Sequence, residues 1–176
     1  MIRILGATGQ IQNVEDFVEK VLMFSQRYNV VVQVLDAEVV YGEKHLLSAG
    51  EHAIRAMKQK RNSTNSLAME ILLYASGERQ IKLGIQKMGV KKGASVVAFV
   101  MIDKLRDISE ANGNISNEEV ETFLKTLKFR RDDKVLEGDI DTLQRFGITE
   151  QEINTVTSEK HGHLILEKVA MVDVIK

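Results

Sequence analysis

The stretch Ala94-Ser-Val-Val-Ala-Phe-Val-Met-Ile102 limits the fold of this chain more than any other segment. It is β-rich, almost wholly apolar and of strand length, which places it at the centre of a sheet. Two further β-branched runs, at residues 2–5 and 30–35, supply neighbours for it. Val39-Val40-Tyr41 has the composition of one more short strand.

Between these runs the apolar spacing changes to the helical period. Val14, Phe17, Val18, Val21 and Leu22 fall on one side of a helix over 13–28, with Asn13 as N-cap. A second helix is expected over 43–60. It ends in Lys58, Lys60 and Arg61, where cations suit the negative end of the helix dipole. Residues 62–66 are turn and cap chemistry. A short apolar helix at 67–76 follows, stopped by Gly77, and another runs from about residue 78 to Gly89. Residues 103–116, with Asn112-Gly113-Asn114, read as a loop with scope for mobility. Further helices are expected at 117–129, at 139–146 before Gly147, at 149–156 behind a Thr149/Glu152 capping box, and at 164–175. The polar run 130–133 reads as a connection. The pattern predicts an α/β chain, a single domain over 1–176, with a small mixed sheet flanked by helices and a helix-rich second half.

The chain has 176 residues and no cysteine, so disulfides and thiolate metal sites are excluded. No apolar run approaches the roughly 20 residues of a membrane helix, and residues 1–5 read as a strand, not a signal peptide. The net charge of −1 points to no polyanionic partner, but its distribution says more. Residues 51–92 hold nine Lys/Arg against three acids, while the rest of the chain is seven charges negative.

Three constellations carry possible chemistry. Gly6-Ala-Thr-Gly9, between a strand and a helix with Asp36 closing the next strand, matches part of a dinucleotide phosphate loop. Gln12 stands where the third glycine belongs, and no further βα units complete such a site. An oxidoreductase using Gly6 to Gly9 is kept as one reading, tested by titration with NAD(P). His161-Gly-His163 would bind a metal only if a strand held both rings on one face. No third ligand accompanies it, and solvated surface is the simpler reading. His45 and His52 lie two helical turns apart and read as packing or exposed positions. No nucleophilic set is present, so no catalytic residue, cofactor or metal is expected. Residues 58–81 are different. A basic helix end, small polar side chains and the positive start of a helix make an anion-binding combination, set against the plainer reading of a capped hairpin with a solvated basic rim.

Four stretches resemble one family: Leu35 to Val40 with Lys44-His45-Leu46; Asn65-Ser66 with Met69 to Leu72; Ala75-Ser-Gly-Glu-Arg-Gln-Ile81 through Met88-Gly89; and Phe146 to Thr149 with Leu166 to Asp173. In this order they resemble the CGI-type subunits of the KEOPS complex. The resemblance implies a non-catalytic cytoplasmic subunit that binds and supports the Bud-type (PRPK) atypical kinase, and touches other KEOPS subunits indirectly. KEOPS installs threonylcarbamoyl on tRNA adenosine, and archaeal relatives of this subunit grip the tRNA 3′ CCA end. Carried onto this chain, the resemblance implies tRNA contacts by Lys58, Lys60, Arg61, Asn65, Ser66, Arg79 and Gln80. Glu70 is expected to orient Arg79. Leu67, Leu73, Leu83, Ile85 and Met88 are the candidates for the kinase interface.

Overall fold

The computed structural model describes residues 1–175. Its elements are β1 (Ile2–Ile11), α1 (Val14–Tyr28), β2 (Val31–Asp36), α2 (Glu43–Lys58), α3 (Leu67–Ser76), α4 (Ile81–Met88), β3 (Gly93–Ile102), α5 (Asn117–Thr126), β4 (Arg130–Arg131), α6 (Ile140–Phe146), α7 (Glu150–Asn154) and α8 (His161–Ile175). The strands form one sheet in the order β2-β3-β1-β4. The chain is α/β as expected, with helices on both faces of a small sheet. The sheet is antiparallel at every pairing, where a mixed one was expected.

β3 has both faces buried, and its side chains divide the core by the two-residue period of a strand. Val97, Phe99 and Met101 face α1 and α5, while Ala98, Val100 and Ile102 face α2, α3 and α8. The first layer is aromatic: Phe17, Phe24, Phe99, Phe123 and Phe129 meet there, with Phe24 and Phe123 stacked at 4.1 Å. The second is aliphatic. The small residues Ala49, Ala53 and Ala56 of α2 are buried there and allow α3 to approach closely.

β1 runs straight through the glycine motif. Its ten residues pair with β3 from Ile2↔Ile102 to Ile11↔Gly93, so Gly6 and Gly9 are strand residues opposite Ala98 and Ser95. No phosphate loop forms, and the dinucleotide reading falls on that ground. The glycines are there for space. A Cβ on Gly9 would sit 2.6 Å from the Phe129 ring, and one on Gly6 would sit 2.5 Å from Val135. Val39-Val40-Tyr41 is not a strand either. Residues Ala37–Val39 form a 3₁₀ turn capped by Asp36. The run at 130–133 supplies β4, whose two residues pair with Ala7 and Thr8.

Residues 103–116 fold back on the body. Ile108, Ala111 and Ile115 are buried, and Gly113 N–H donates to Asn29 C=O at 2.8 Å. His45, in the first turn of α2, is 1% exposed. Its Nδ1 accepts the Tyr41 N–H at 3.1 Å, which leaves Nε2–H to donate to Ala75 C=O at 2.7 Å. The ring is thus neutral in one tautomer, and burial pushes its pKa down to about 4.

Two stability outcomes follow. Gly9→Ala should cost ~1–3 kcal/mol by overpacking against Phe129, read as a lower midpoint in urea. An unchanged midpoint would remove the packing explanation. The unfolded chain takes up a proton on His45 near pH 6.5, whereas the folded chain resists it down to about pH 4. The contribution of a neutral His45 is therefore complete above pH 6.5 and shrinks as pH falls towards 4, by on the order of 3 kcal/mol in all. Urea titrations across that window should show a steeper loss for the natural chain than for His45→Gln, and parallel curves would refute it.

Candidate nucleic-acid and partner interface

α2 ends in a left-handed turn. Lys60 has φ +56°, and Arg61 N–H reaches back to Ala56 C=O at 2.8 Å. Lys58 and Lys60 stay exposed, and Lys58 Nζ lies 3.8 Å from Asp107. The Arg61 guanidinium lies 3.6 Å from Asp173 on α8. The loop 62–66 is organised from within. Glu70 is fully buried, and its carboxylate accepts the N–H groups of Ser63 at 2.7 Å and Thr64 at 2.6 Å. Ser66 caps α3 by accepting the Met69 N–H at 3.3 Å, and Glu110 accepts the Leu67 N–H at 2.7 Å. The start of α3, which the sequence offers to an external anion, is thus served by the chain's own oxygens.

Gly77 ends α3 with φ +70°, and Glu78 N–H donates to Leu73 C=O at 3.1 Å. Arg79 and Gln80 lie just beyond. α3 has ten residues, so at ~1.5 Å each they stand roughly 15 Å from Asn65 and Ser66. The structure therefore brings Lys58, Lys60, Arg61, Asn65 and Ser66 to one end of α3 and leaves Arg79 and Gln80 at the other. Glu70, in the first turn, shapes the loop 62–66 rather than orienting Arg79. The side chains of Lys60, Asn65, Arg79 and Gln80 are exposed, with no hydrogen bond or ion pair among the described residues. Part of the basic excess is used internally. Lys87 Nζ sits 3.7 Å above the Phe146 ring beside Glu78, with its pKa lowered by burial, and Lys91 pairs with Asp36 at 3.4 Å.

The apolar candidates also divide. Leu67 and Leu73 are core residues, because α3 packs against β2, α2, α4 and α8 and is not a one-sided surface helix, and Met88 is a buried residue of α4. Leu83 and Ile85 are 42% and 50% exposed, and Ile81 joins them at 38%. Met171, Val174 and Ile175 form a second exposed apolar stripe at the end of α8.

Sequence reasoning did not find a polar cluster joining α2, α3 and α8. The Tyr74 hydroxyl donates a short hydrogen bond to Asp173 Oδ1, and His52 Nδ1 lies 3.0 Å from Asp173 Oδ2. The His52 ring stacks on Tyr74, and Arg55 reaches the same Nδ1 at 3.1 Å. That nitrogen serves one neighbour at a time: as a donor it bonds Asp173, as an acceptor it bonds Arg55. Asp173 was visible within the Leu166 to Asp173 stretch, but nothing in the sequence joins it to Arg61. His161 is buried at the start of α8 and not solvated, while His163 is exposed. Two helical residues at that spacing do not share a face. Among the described residues no group of three or more His, Cys, Asp or Glu is placed to hold a metal, and no helix is long and apolar enough to cross a membrane.

The family model described as kinase binding protein CGI-121 matches residues 9–173. The regulatory protein Cgi121 of Methanocaldococcus jannaschii is 32% identical over 144 residues, which is 82% of this chain and 84% of that protein. With the family model spanning nearly all of the fold, from β1 to the last turn of α8, the chain belongs to the CGI-121 family.

Proposed function

We propose that this chain is a non-catalytic regulatory subunit that binds a Bud-type atypical kinase within a cytoplasmic KEOPS complex and helps to recruit tRNA through its 3′ CCA end. The kinase part rests on the family, whose description is kinase binding, and on a relative described as regulatory. The observation that carries the reading is the surface of the α3–α4 hairpin. Four polar side chains without internal partners (Lys60, Asn65, Arg79 and Gln80) flank α3, and α4 exposes Ile81, Leu83 and Ile85 beside them.

In this reading the kinase covers the exposed apolar positions of α4, whose burial supplies the binding energy. Leu67, Leu73 and Met88 support that helix from inside. The cations at the two ends of α3 contact phosphates, and Asn65, Arg79 and Gln80 meet the exposed edges of unpaired bases. Lys58 and Arg61 take part once their contacts with Asp107 and Asp173 are exchanged, and Ser66 contributes chiefly by holding Asn65 in place. The separation of roughly 15 Å along α3 favours an extended single strand lying along the helix over a ligand held at one point.

Two outcomes test it. Ile81→Asp with Ile85→Asp should weaken binding of the purified kinase at least ~10-fold while leaving the unfolding midpoint nearly unchanged, since both positions are exposed. Retained affinity would move the docking surface elsewhere, with the α8 stripe next in line. For RNA, Arg79→Ala should remove most of the preference for intact over CCA-less tRNA, at a cost of ~1–3 kcal/mol. Lys60→Glu should weaken both ligands alike and flatten the salt dependence. Anisotropy titrations at two salt concentrations read both effects. Equal affinity of the natural chain for the two tRNAs would exclude CCA recognition.

A further inference from the structure

The one arginine at the end of α2 that the RNA reading needs turned outward is held from the side by an acid. Asp173 arrives from α8, more than a hundred residues later in the chain, and lies 3.6 Å from the Arg61 guanidinium. It is not a loose surface carboxylate. Its Oδ1 takes the Tyr74 hydroxyl and its Oδ2 faces His52 Nδ1 at 3.0 Å. The Tyr74 ring is itself buried and stacked on His52, so the carboxylate is held by parts that have lost their freedom already. Burial first, and the Asp173 carboxylate second, hold the Tyr74 phenol above its ordinary pKa, so it remains a donor at neutral pH. Asp173 is therefore preorganised, with its side chain 26% exposed, while the Arg61 side chain is 56% exposed.

That asymmetry gives the contact a particular strength. A half-exposed ion pair is worth little in water, so it biases Arg61 without locking it. A lone phosphate or a free nucleotide would have to displace a prepositioned carboxylate and approach its negative charge. A polymer that engages Lys60 and other cations at once meets the same cost once and offsets it through several contacts.

We propose that Asp173 is a built-in anionic competitor that occupies Arg61 in the empty protein and yields it to a nucleic-acid phosphate. The proposal rests on the RNA reading above and adds to it a selectivity device: the basic end of α2 discriminates against small anions in favour of a polyanion. Asp107 has a lesser version of the same role at Lys58, at 3.8 Å and without the buried supports. His52 links Arg55 to the device, because its Nδ1 is shared between Arg55 and Asp173.

The test is a double-mutant cycle on the full chain with tRNA as the probe. Asp173→Asn should tighten tRNA binding roughly fivefold, the upper range for an exposed pair. Glu167→Gln removes the same charge from an exposed position on the same helix and should change affinity less than twofold. In an Arg61→Gln background the gain from Asp173→Asn should vanish. Inorganic phosphate should compete for tRNA binding more effectively in Asp173→Asn than in the natural chain. Equal gains from Asp173→Asn and Glu167→Gln, or a gain that survives without Arg61, would overturn the competitor and leave the RNA reading intact. Failure of every variant, the natural chain included, to bind tRNA would overturn both. Unfolding midpoints of all variants, and Tyr74→Phe, which removes one support of Asp173 without altering charge and should give an intermediate gain, separate loss of fold from loss of the contact.

Discussion

A helix whose last seven residues are all buried must have its polar backbone ends satisfied without water, and α3 is such a helix. Its first N–H groups are taken by Ser66 and by Glu110 from the loop 103–116. Its Ala68 C=O accepts from Gln33 of β2, and its Ala75 C=O accepts from His45 of α2. Gly77 and Glu78 close the other end. Glu110, Gln33 and His45 come from three different parts of the chain. Placing α3 therefore fixes the loop 103–116, the edge of the sheet and the start of α2 together. The neutral tautomer of His45 is one consequence, since a charged ring would place a proton against the Tyr41 N–H.

The surface inherits its layout from that central helix. Because α3 is enclosed, it presents only its two ends, and the polar side chains collect there. Because α4 packs on α3 through Gly84 and Met88, its remaining apolar positions face outward. Gly84 permits this closeness: a Cβ there would lie 3.2 Å from the Ser76 hydroxyl oxygen and 3.3 Å from Leu72. The polar and apolar parts of the proposed interface are two results of one packing decision.

Helix positions were legible in the sequence because caps are local. Ser66 with Gly77, the Thr149/Glu152 box, and Gly147 all mark real ends. The central strand was legible from its unbroken apolar run. The glycine motif was not, because its meaning depends on Phe129 and Val135, which lie more than a hundred residues away and decide that Gly6 and Gly9 make room for packing rather than for a phosphate. β4 escaped notice because two arginines become a strand only beside Ala7 and Thr8. In the candidate site, the basic run and its exposed side chains could be read directly. The inward roles of Leu67, Leu73 and Met88, and the contacts of the Glu110 and Asp173 carboxylates, could not. Each of those depends on a neighbour distant in the chain, and periodicity carries no information about such neighbours.

The edges of the sheet have a consequence for the chain when it is alone. An open strand edge is a template, and a protein that waits for partners is at risk of pairing with its own copies. On one side the sheet ends in β4, two residues long and both arginine, too short and too charged to recruit a strand. On the other side, β2 is furnished with substitutes for a neighbour. Ser25 of α1 accepts the Val30 N–H through its backbone and donates its hydroxyl to the Val30 C=O. The Gln33 side-chain amide takes the Val34 N–H at 3.0 Å and passes its own N–H on to α3. One glutamine thus stands in for a missing peptide unit, and a sheet of four strands is closed off without a fifth.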